Sequence, residues 1–388
     1  MNEATRRFIE DHLCDDIHML ALRKAPDDVD LSLALTQIEA RQILAKKVPS
    51  WANNVDLLFP PHISIEQCSS EATALYKASL LSGEVLTDLT GGLGIDTFFI
   101  SRNFKHTHYV ECQEHLCDLA RHNFSILGSE IKVWHDEAES FLTHNSHGSC
   151  IFIDPARRDI YGRKTISIAD CSPNVAALQQ RLLYHSPLVL IKLSPMLDIA
   201  QALAVLSHVR EVHIVAVNNE CKELLFLLDV NHEGEPQFHC VNLGKKNDIE
   251  IFTHSIEHNI LPSYCSSPLT YLYEPNVAIL KGGFFKSLGT KYNINKLHPN
   301  SHLYTSDTLV TSFPGRVFEV LGYAPLNKKI KTTLLSDVNK ASIAARNFPI
   351  SVFELRKKLQ IADGEEYYLF ATTLLHNERV IIKTRKLQ

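Results

Sequence analysis

The middle of the chain alternates apolar segments with segments of helical periodicity. Near-continuous apolar runs, such as residues 188–191, are typical of strands buried on both faces of a parallel sheet. The pattern predicts seven strands, at 85–90, 106–111, 131–135, 150–154, 188–193, 211–217 and 238–243, with intervening helices that include one at 219–228. Alternation of this kind predicts an α/β fold with a seven-stranded, mainly parallel sheet.

A glycine-rich turn follows the first predicted strand. Residues 85–96 read V-L-T-D-L-T-G-G-L-G-I-D, and glycines here permit positive φ and a close approach of the backbone to a ligand. The turn lacks both the G-x-G-x-x-G spacing of dinucleotide folds and the lysine of a P-loop. Asp88, directly before it, would repel a phosphate. A cationic, nucleotide-like ligand fits this turn better.

Acidic residues mark the ends of the first four predicted strands: Asp88, Glu111, Asp136 and Asp154. An acid at the end of the second strand is placed to accept hydrogen bonds from ribose hydroxyls. Asp136, after the third strand, is placed to face an adenine amino group. Because ligands bind at the carboxyl ends of parallel strands, we expect the four acids to surround one ligand.

The turn resembles the first motif of class I S-adenosylmethionine methyltransferases. Asp88, Gly92 and Gly94 match its D-x-x-x-G-x-G core, with Thr90 where the commoner first glycine stands. The segment before the first strand often folds over the methionine end of the cofactor in such enzymes. The resemblance therefore implies S-adenosyl-L-methionine as the cofactor, and Gln67 and Ser70 as further contacts. Capping of the helix that starts at residue 71 is the alternative role for Ser70.

Over nearly its whole length the chain resembles a bacterial family of such methyltransferases with a ferredoxin-like module and a C-terminal THUMP-like domain. The stretches that carry the resemblance are P-P-H-I-S-I-E-Q-C-S-S-E at 60–71, D-L-T-G-G-L-G-I-D at 88–96, D-P-A-R-R-D at 154–159 and Y-L-Y-E-P-N at 271–276. THUMP domains accompany RNA-modifying enzymes, so the resemblance implies an RNA substrate.

The sequence D-P-A-R at 154–157 stands where methyltransferases keep a D-P-P-x motif. Asp154, with the carbonyl of Pro155, is suited to accept a hydrogen bond from an exocyclic base amine. Arg157 replaces the usual aromatic residue, and its guanidinium can stack on a base or bind a phosphate. The motif also resembles that of 5-methyluridine methyltransferases, which attack the ring with a cysteine; Cys171 is the candidate for that alternative.

At 388 residues the chain is long enough for several domains. We expect an N-terminal helical region at 1–60, the methyltransferase domain at 61–248, a ferredoxin-like α+β module at 249–320 and a THUMP-like module at 321–388. Within the last module the pattern predicts a helix at 336–345 and a hairpin of 366–372 with 379–383. The net charge is −5, yet residues 321–388 hold 12 Lys and Arg against 6 Asp and Glu, a net +6, which leaves −11 for the rest. A basic module favours an anionic partner such as RNA. The alternatives are a non-catalytic RNA-binding protein, and a methyltransferase for proteins or small molecules.

Nine cysteines without a C-x-x-C pair are typical of reduced thiols, and we expect no metal site. No stretch approaches the ~18 apolar residues of a membrane span, and the N-terminus lacks the apolar core of a signal peptide. These features predict a cytoplasmic protein without a membrane partner.

Overall fold

The computed structural model describes residues 1–144, 147–156, 168–245, 248–255 and 260–387, without the side chains of 62–64. Arg157 therefore lies outside the described residues. The chain forms two compact units, one of residues 1–212 with 223–235 and the other of residues 213–222 with 236–388. None of the helices in these ranges combines the length and hydropathy that a membrane span requires.

Six helices precede the first strand: α1 (Glu3–Asp11), α2 (Ile17–Ala21), α3 (Leu31–Lys47), α4 (Pro49–Ala52), α5 (His62–Gln67) and α6 (Glu71–Leu80). Asn2, Asp16 and Asp30 cap the first three by accepting a backbone N–H with their side chains. A small apolar cluster that includes Ile9 and Ile38 holds this region together. The helical N-terminal region is thus present.

The central strands are β1 (Gly83–Asp88), β2 (Phe104–Glu111), β3 (Ile131–His135), β4 (Cys150–Ile153), β5 (Leu188–Leu193), β6 (Val209–Val217) and β7 (Glu220–Asp229). Between them lie α7 (Ile95–Ser101), α8 (Glu114–Ile126), α9 (Ala138–His144), α10 (Val175–His185) and α11 (Ile199–Val205). The first five strands pair in parallel, β1 with β2 and β4, β2 with β3, and β4 with β5. The α/β class and the mainly parallel centre of the sheet are confirmed.

Two details of the predicted sheet are wrong. The predicted helix at 219–228 is strand β7, which runs antiparallel to β5. Asn218 and Asn219 both have positive φ, as a tight two-residue hairpin turn requires, and the following leucine-rich run is buried on both faces. Within the described part of the chain, the sheet also has nine strands rather than seven. With β8 (Gln237–Leu243) and β9 (Ile249–His254), its order is β3-β2-β1-β4-β5-β7-β6-β8-β9.

The second unit holds a further sheet of seven strands. Its later elements are β10 (Tyr271–Pro275), α12 (Val277–Gly282), α13 (Phe285–Tyr292), β11 (Asn295–Lys296), β12 (Tyr304–Ser306), β13 (Gly315–Pro325), α14 (Ile330–Thr333), β14 (Ser342–Arg346), α15 (Val352–Leu359), β15 (Tyr368–Thr373) and β16 (Arg379–Lys386). The strand order is β11-β12-β10-β13-β16-β15-β14. The hairpin expected near the C-terminus is β15 paired with β16. A helix expected at 336–345 is wrong, because 342–346 form β14, parallel to β15, with Ile343 in the core.

Candidate active site

The glycine-rich turn is held tightly against β2. Gly92 N–H donates to Glu111 Oε2 at 2.9 Å, and Tyr109 O–H donates to the Gly92 carbonyl at 2.6 Å. A Cβ on Gly91 would lie 2.2 Å from the Tyr109 ring, so no larger residue fits there. Gly92 and Gly94 have φ of +54° and +80°, which favours glycine at both positions. The turn is therefore rigid before any ligand binds.

Asp88 stabilises this turn through hydrogen bonds to its side chain. Its side chain is buried, and its two oxygens accept hydrogen bonds from Thr90 N–H at 2.9 Å and Thr97 Oγ1 at 2.5 Å. Burial raises the pKa of Asp88 to about 7, although these hydrogen bonds act in the opposite direction. Asp88 thus connects the turn to α7, and its direct contact with a cofactor stays a prediction.

The carboxyl ends of neighbouring strands bring the other predicted residues to one edge. Glu111 accepts both Gly92 N–H and Gln113 N–H, and its backbone carbonyl accepts Asp136 N–H at 3.2 Å. Thr90 Oγ1 accepts the backbone N–H of Asp154 at 2.6 Å, which connects the ends of β1 and β4. These contacts fix the strand-end acids relative to the turn.

Gln67 and Ser70 lie on the segment before β1. Gln67 is the last residue of α5 and has an exposed side chain. Ser70 caps α6, since its Oγ accepts Thr73 N–H at 3.2 Å. The capping alternative for Ser70 is therefore present in the structure, and cofactor contacts by the two residues stay predictions.

A buried network of charges lies beside this edge, and sequence reasoning did not identify it. Lys77 Nζ, on α6, donates to both carboxylate oxygens of Glu223 at 2.7 and 2.8 Å and lies 3.2 Å from Asp96 Oδ1. Ser69 Oγ donates to Asp96 Oδ2 at 2.7 Å and accepts from Lys77 at 3.2 Å and Lys192 at 3.0 Å. The hydroxyl thereby uses its one donor and both acceptor positions.

Lys192 connects the network to Asp154. Its Nζ lies 2.6 Å from Asp154 Oδ2 and 3.4 Å from Asp96 Oδ2. The Asp154 side chain keeps 36% of its surface exposed, whereas that of Lys192 keeps 11%. Asp154 is therefore the member of the network that a substrate can reach.

The local charges explain the ionisation of the network. Burial alone would lower the pKa of Lys192, but the surrounding carboxylates, Asp154 first, raise it well above its ordinary value. Burial likewise opposes ionisation of Asp96, yet the two lysines hold the pKa of Asp96 below its ordinary value. Burial raises the pKa of Glu223, although Lys77 and then Lys192 act in the opposite direction.

Comparison with known proteins identifies the family. Models of a ferredoxin-like domain and of a THUMP-like domain match residues 271–314 and 315–386. The crystal structure of a Porphyromonas gingivalis W83 protein assigned as a methyltransferase is 35% identical, with a TM-score of 0.89 over 99% of this chain and 98% of that one. The chain belongs to this family of S-adenosylmethionine-dependent methyltransferases.

More distant relatives carry the same activity in their names. Two Mycobacterium tuberculosis proteins, from strains CDC 1551 and H37Rv, are named as uncharacterized S-adenosylmethionine-dependent methyltransferases. Each is 22% identical over 302 residues, which cover 77% of this chain and 80% of the relative. The enzyme class and the cofactor predicted from the sequence are thereby confirmed.

The edge of the sheet fits S-adenosylmethionine in this methyltransferase. A Cβ at Gly92 would meet no atom closer than 3.8 Å, so the turn is open at this position while its backbone conformation favours glycine. Glu111 and Asp136 offer carboxylate oxygens on the next two strand ends, where a nucleoside hydroxyl or amine would be recognised. The surrounding acids suit a ligand with a positive charge. That the turn, Glu111 and Asp136 would hold the cofactor stays a prediction.

Cys171 lies near the end of β4. Ala156 and Ser172 exchange two backbone hydrogen bonds, at 2.8 and 2.9 Å, so Cys171 adjoins the D-P-A segment. Its side chain is only 4% exposed. A nucleophile must reach its substrate, and this burial favours a packing role for Cys171.

Proposed function

We propose that this methyltransferase modifies an exocyclic amine on a base of RNA, with Asp154 as the residue that acts on the acceptor. Bound S-adenosylmethionine supplies the methyl group. The lone pair of an exocyclic amine is delocalised into its ring, so a hydrogen bond from the amine to Asp154 makes the nitrogen more nucleophilic. The same carboxylate can take the proton that the nitrogen loses after transfer.

One observation carries this proposal: Asp154 has one oxygen fixed while its side chain is still accessible. Lys192 holds Oδ2, and Thr90 Oγ1 holds the backbone N–H. No described residue donates a hydrogen bond to Oδ1, and we propose that this oxygen binds the acceptor. A carboxylate fixed in this way supplies orientation and electrostatic stabilisation without reorganising during the reaction.

Two neighbours complete the proposed acceptor site. Pro155 is buried directly after Asp154, and its ring restricts the backbone there. We propose that its carbonyl shares the amine hydrogen bonds. Arg157 lies outside the described residues, and we retain it as the residue that stacks on the base or binds a phosphate.

The C-terminal module supports RNA as the substrate class. It carries the net positive charge found in the sequence, and it matches the THUMP-like model. On α15, Lys357 and Lys358 are exposed, and Phe353 keeps 70% of its surface exposed with Lys357 Nζ 5.4 Å from its ring centroid. Lysines bind phosphates and an exposed ring stacks on bases, so we propose this face as part of the RNA contact. The four-part domain division stays part of the same proposal.

Charge reversal on α15 tests the RNA contact in the full-length chain. Lys357→Glu with Lys358→Glu should weaken RNA binding and lower the slope of log affinity against log salt by about 2. Reversal of Lys24 and Lys46, two exposed lysines near the N-terminus, is the matched control. RNA affinity that falls equally in both pairs would contradict a specific role for α15.

The substrate class is tested by transfer of labelled methyl groups to RNA, protein and metabolite fractions from a strain that lacks the gene. We expect label in RNA with the wild-type chain and none with Asp154→Asn. Label in protein or metabolites would favour the corresponding alternative substrate, and no label in any fraction would favour a non-catalytic role. If Cys171→Ala were inactive while Asp154→Asn retained activity, the covalent pyrimidine route would replace the amine route.

A further inference from the structure

We propose that Lys192 is a positioning residue that holds one carboxylate oxygen of Asp154 and thereby turns the other toward the acceptor. The inference rests on the proposed function, because it concerns the residue that acts there on the acceptor. The sequence motif D-P-A-R contains no such partner, and Lys192 comes from a different strand.

The ammonium group of Lys192 has a fixed direction. Its three oxygen neighbours are Asp154 Oδ2 at 2.6 Å, Ser69 Oγ at 3.0 Å and Asp96 Oδ2 at 3.4 Å. An ammonium group has three N–H donors, so these neighbours account for its full capacity. Because Ser69 and Asp96 also bind the ammonium, it can hold Asp154 Oδ2 in place when the acceptor moves.

A second lysine, Lys77, pairs with the other carboxylates of the cluster, so Lys192 is available to bind Asp154. Lys77, fully buried, already neutralises Glu223 and lies 3.2 Å from Asp96. Without Lys192, Asp154 Oδ2 would lose its ammonium partner. The Asp154 side chain is the most accessible carboxylate of the cluster, so it would then turn toward solvent.

The groups that face Lys192 come from several elements. They are Asp154 after β4, Asp96 on α7, Lys77 on α6, Glu223 on β7 and Cys68 before α6. Burial raises the pKa of the Cys68 thiol, so this group stays neutral through the physiological range.

A direct measurement is the orientation of the Asp154 side chain in crystal structures of the variants. Lys192→Gln removes the ammonium and has a shorter side chain, so the Asp154 carboxylate should leave its present position. Lys192→Arg keeps a cationic donor and should hold Asp154 near its wild-type orientation. Lys105→Gln, which removes an exposed lysine paired with Glu84, is the matched control.

Kinetics provide the second readout. Lys192→Gln should lower kcat about tenfold or more with KM nearly unchanged, because a displaced Asp154 carboxylate loses an interaction made in the transition state. A lysine that only stabilises the fold would lower the folded fraction, and the molecules that remain folded would turn over normally. Lys192→Arg should restore most of the turnover.

The outcomes separate this inference from the proposed function. An unchanged Asp154 orientation in Lys192→Gln overturns the inference, whatever the substrate is. A displaced carboxylate in a chain that transfers no methyl group to RNA supports the inference and rejects only the proposed substrate. If Lys192→Gln does not fold, Lys192→Arg decides: normal turnover and an unchanged orientation of Asp154 support the requirement for a cation, and an inactive but folded arginine variant contradicts it.

Discussion

Removing the charge of Lys77 should strongly destabilise the first unit. Its ammonium is fully buried, 2.7 Å from Glu223 and 3.2 Å from Asp96. With an effective dielectric constant near 20, attractions at these distances are about 5–6 kcal/mol each before the cost of desolvation. That cost is several kcal/mol per ion, so the intact cluster contributes little net free energy. Lys77→Met leaves two buried carboxylates with less compensation, and we expect a loss of about 3–5 kcal/mol.

A double-mutant cycle measures the coupling free energy between Lys77 and Glu223. Glu223→Leu alone removes the closest partner of Lys77 and leaves Asp96 to balance two lysines. Lys77→Met with Glu223→Leu removes the pair together, and apolar replacements of a buried pair are often nearly neutral. The double variant should therefore lose less free energy of unfolding than the two single variants together. We expect this difference to be about 2 kcal/mol or more.

The two tryptophans make the assay specific for this unit. Trp51 and Trp134 are the only tryptophans in the sequence, and both belong to the first unit. Urea unfolding followed by tryptophan fluorescence therefore reports the free energy of unfolding where the substitutions lie. Lys105→Met, which breaks an exposed ion pair, is the control and should change stability little. Additive costs in the cycle, or a Lys77→Met variant as stable as Lys105→Met, would refute the reasoning.

Three further substitutions test the site itself. Asp154→Asn should lower turnover at least ~100-fold with nearly unchanged cofactor affinity, as measured by steady-state kinetics and calorimetry; normal turnover would remove Asp154 from the chemistry. Glu111→Ala should weaken S-adenosylmethionine binding by roughly 1.5–3 kcal/mol, and unchanged calorimetric affinity would exclude that contact. The pKa of Asp88 is raised from 3.8 to about 7, so the folded state favours its neutral form, and its contribution to stability is largest below about pH 4 and is lost as the pH rises through 7. Asp88→Asn should remove a decline on the order of 4 kcal/mol from the urea stability profile between those pH values, and parallel profiles for the two proteins would contradict this.

The cofactor edge was predictable because its signals are local. The strand-end acids at 88, 111, 136 and 154 each follow an apolar run, and parallel strands bring such positions to one edge. The role of each individual acid was harder to predict from the sequence. Asp88 looked like a charge facing the ligand, yet its burial and its bonds to Thr90 and Thr97 are properties of the folded turn.

The two wrong helices have a common cause. The segment 219–228 contains leucine, glutamate and lysine, and the segment 336–345 contains alanine and lysine, all compatible with a helix. Tertiary contacts override this preference, because both segments pair with buried strands. For the first segment a signal was present: Asn218-Asn219 between two apolar runs favours a hairpin turn, which forbids a crossover helix.

The buried lysines differ in how far they could be predicted. Lys77 lies on a helix, where a lysine is most often solvated, and its partner Glu223 is 146 positions away. No local pattern connects them. Lys192 is different, because it is the one charged residue in the apolar strand 188–193, and a charge in a buried strand requires an opposite charge nearby. In the parallel register of β4 and β5, Ile153 lies opposite Ile191. The next position on each strand then brings Asp154 beside Lys192, so the pairing of these two strands is sufficient to predict the ion pair at the acceptor site.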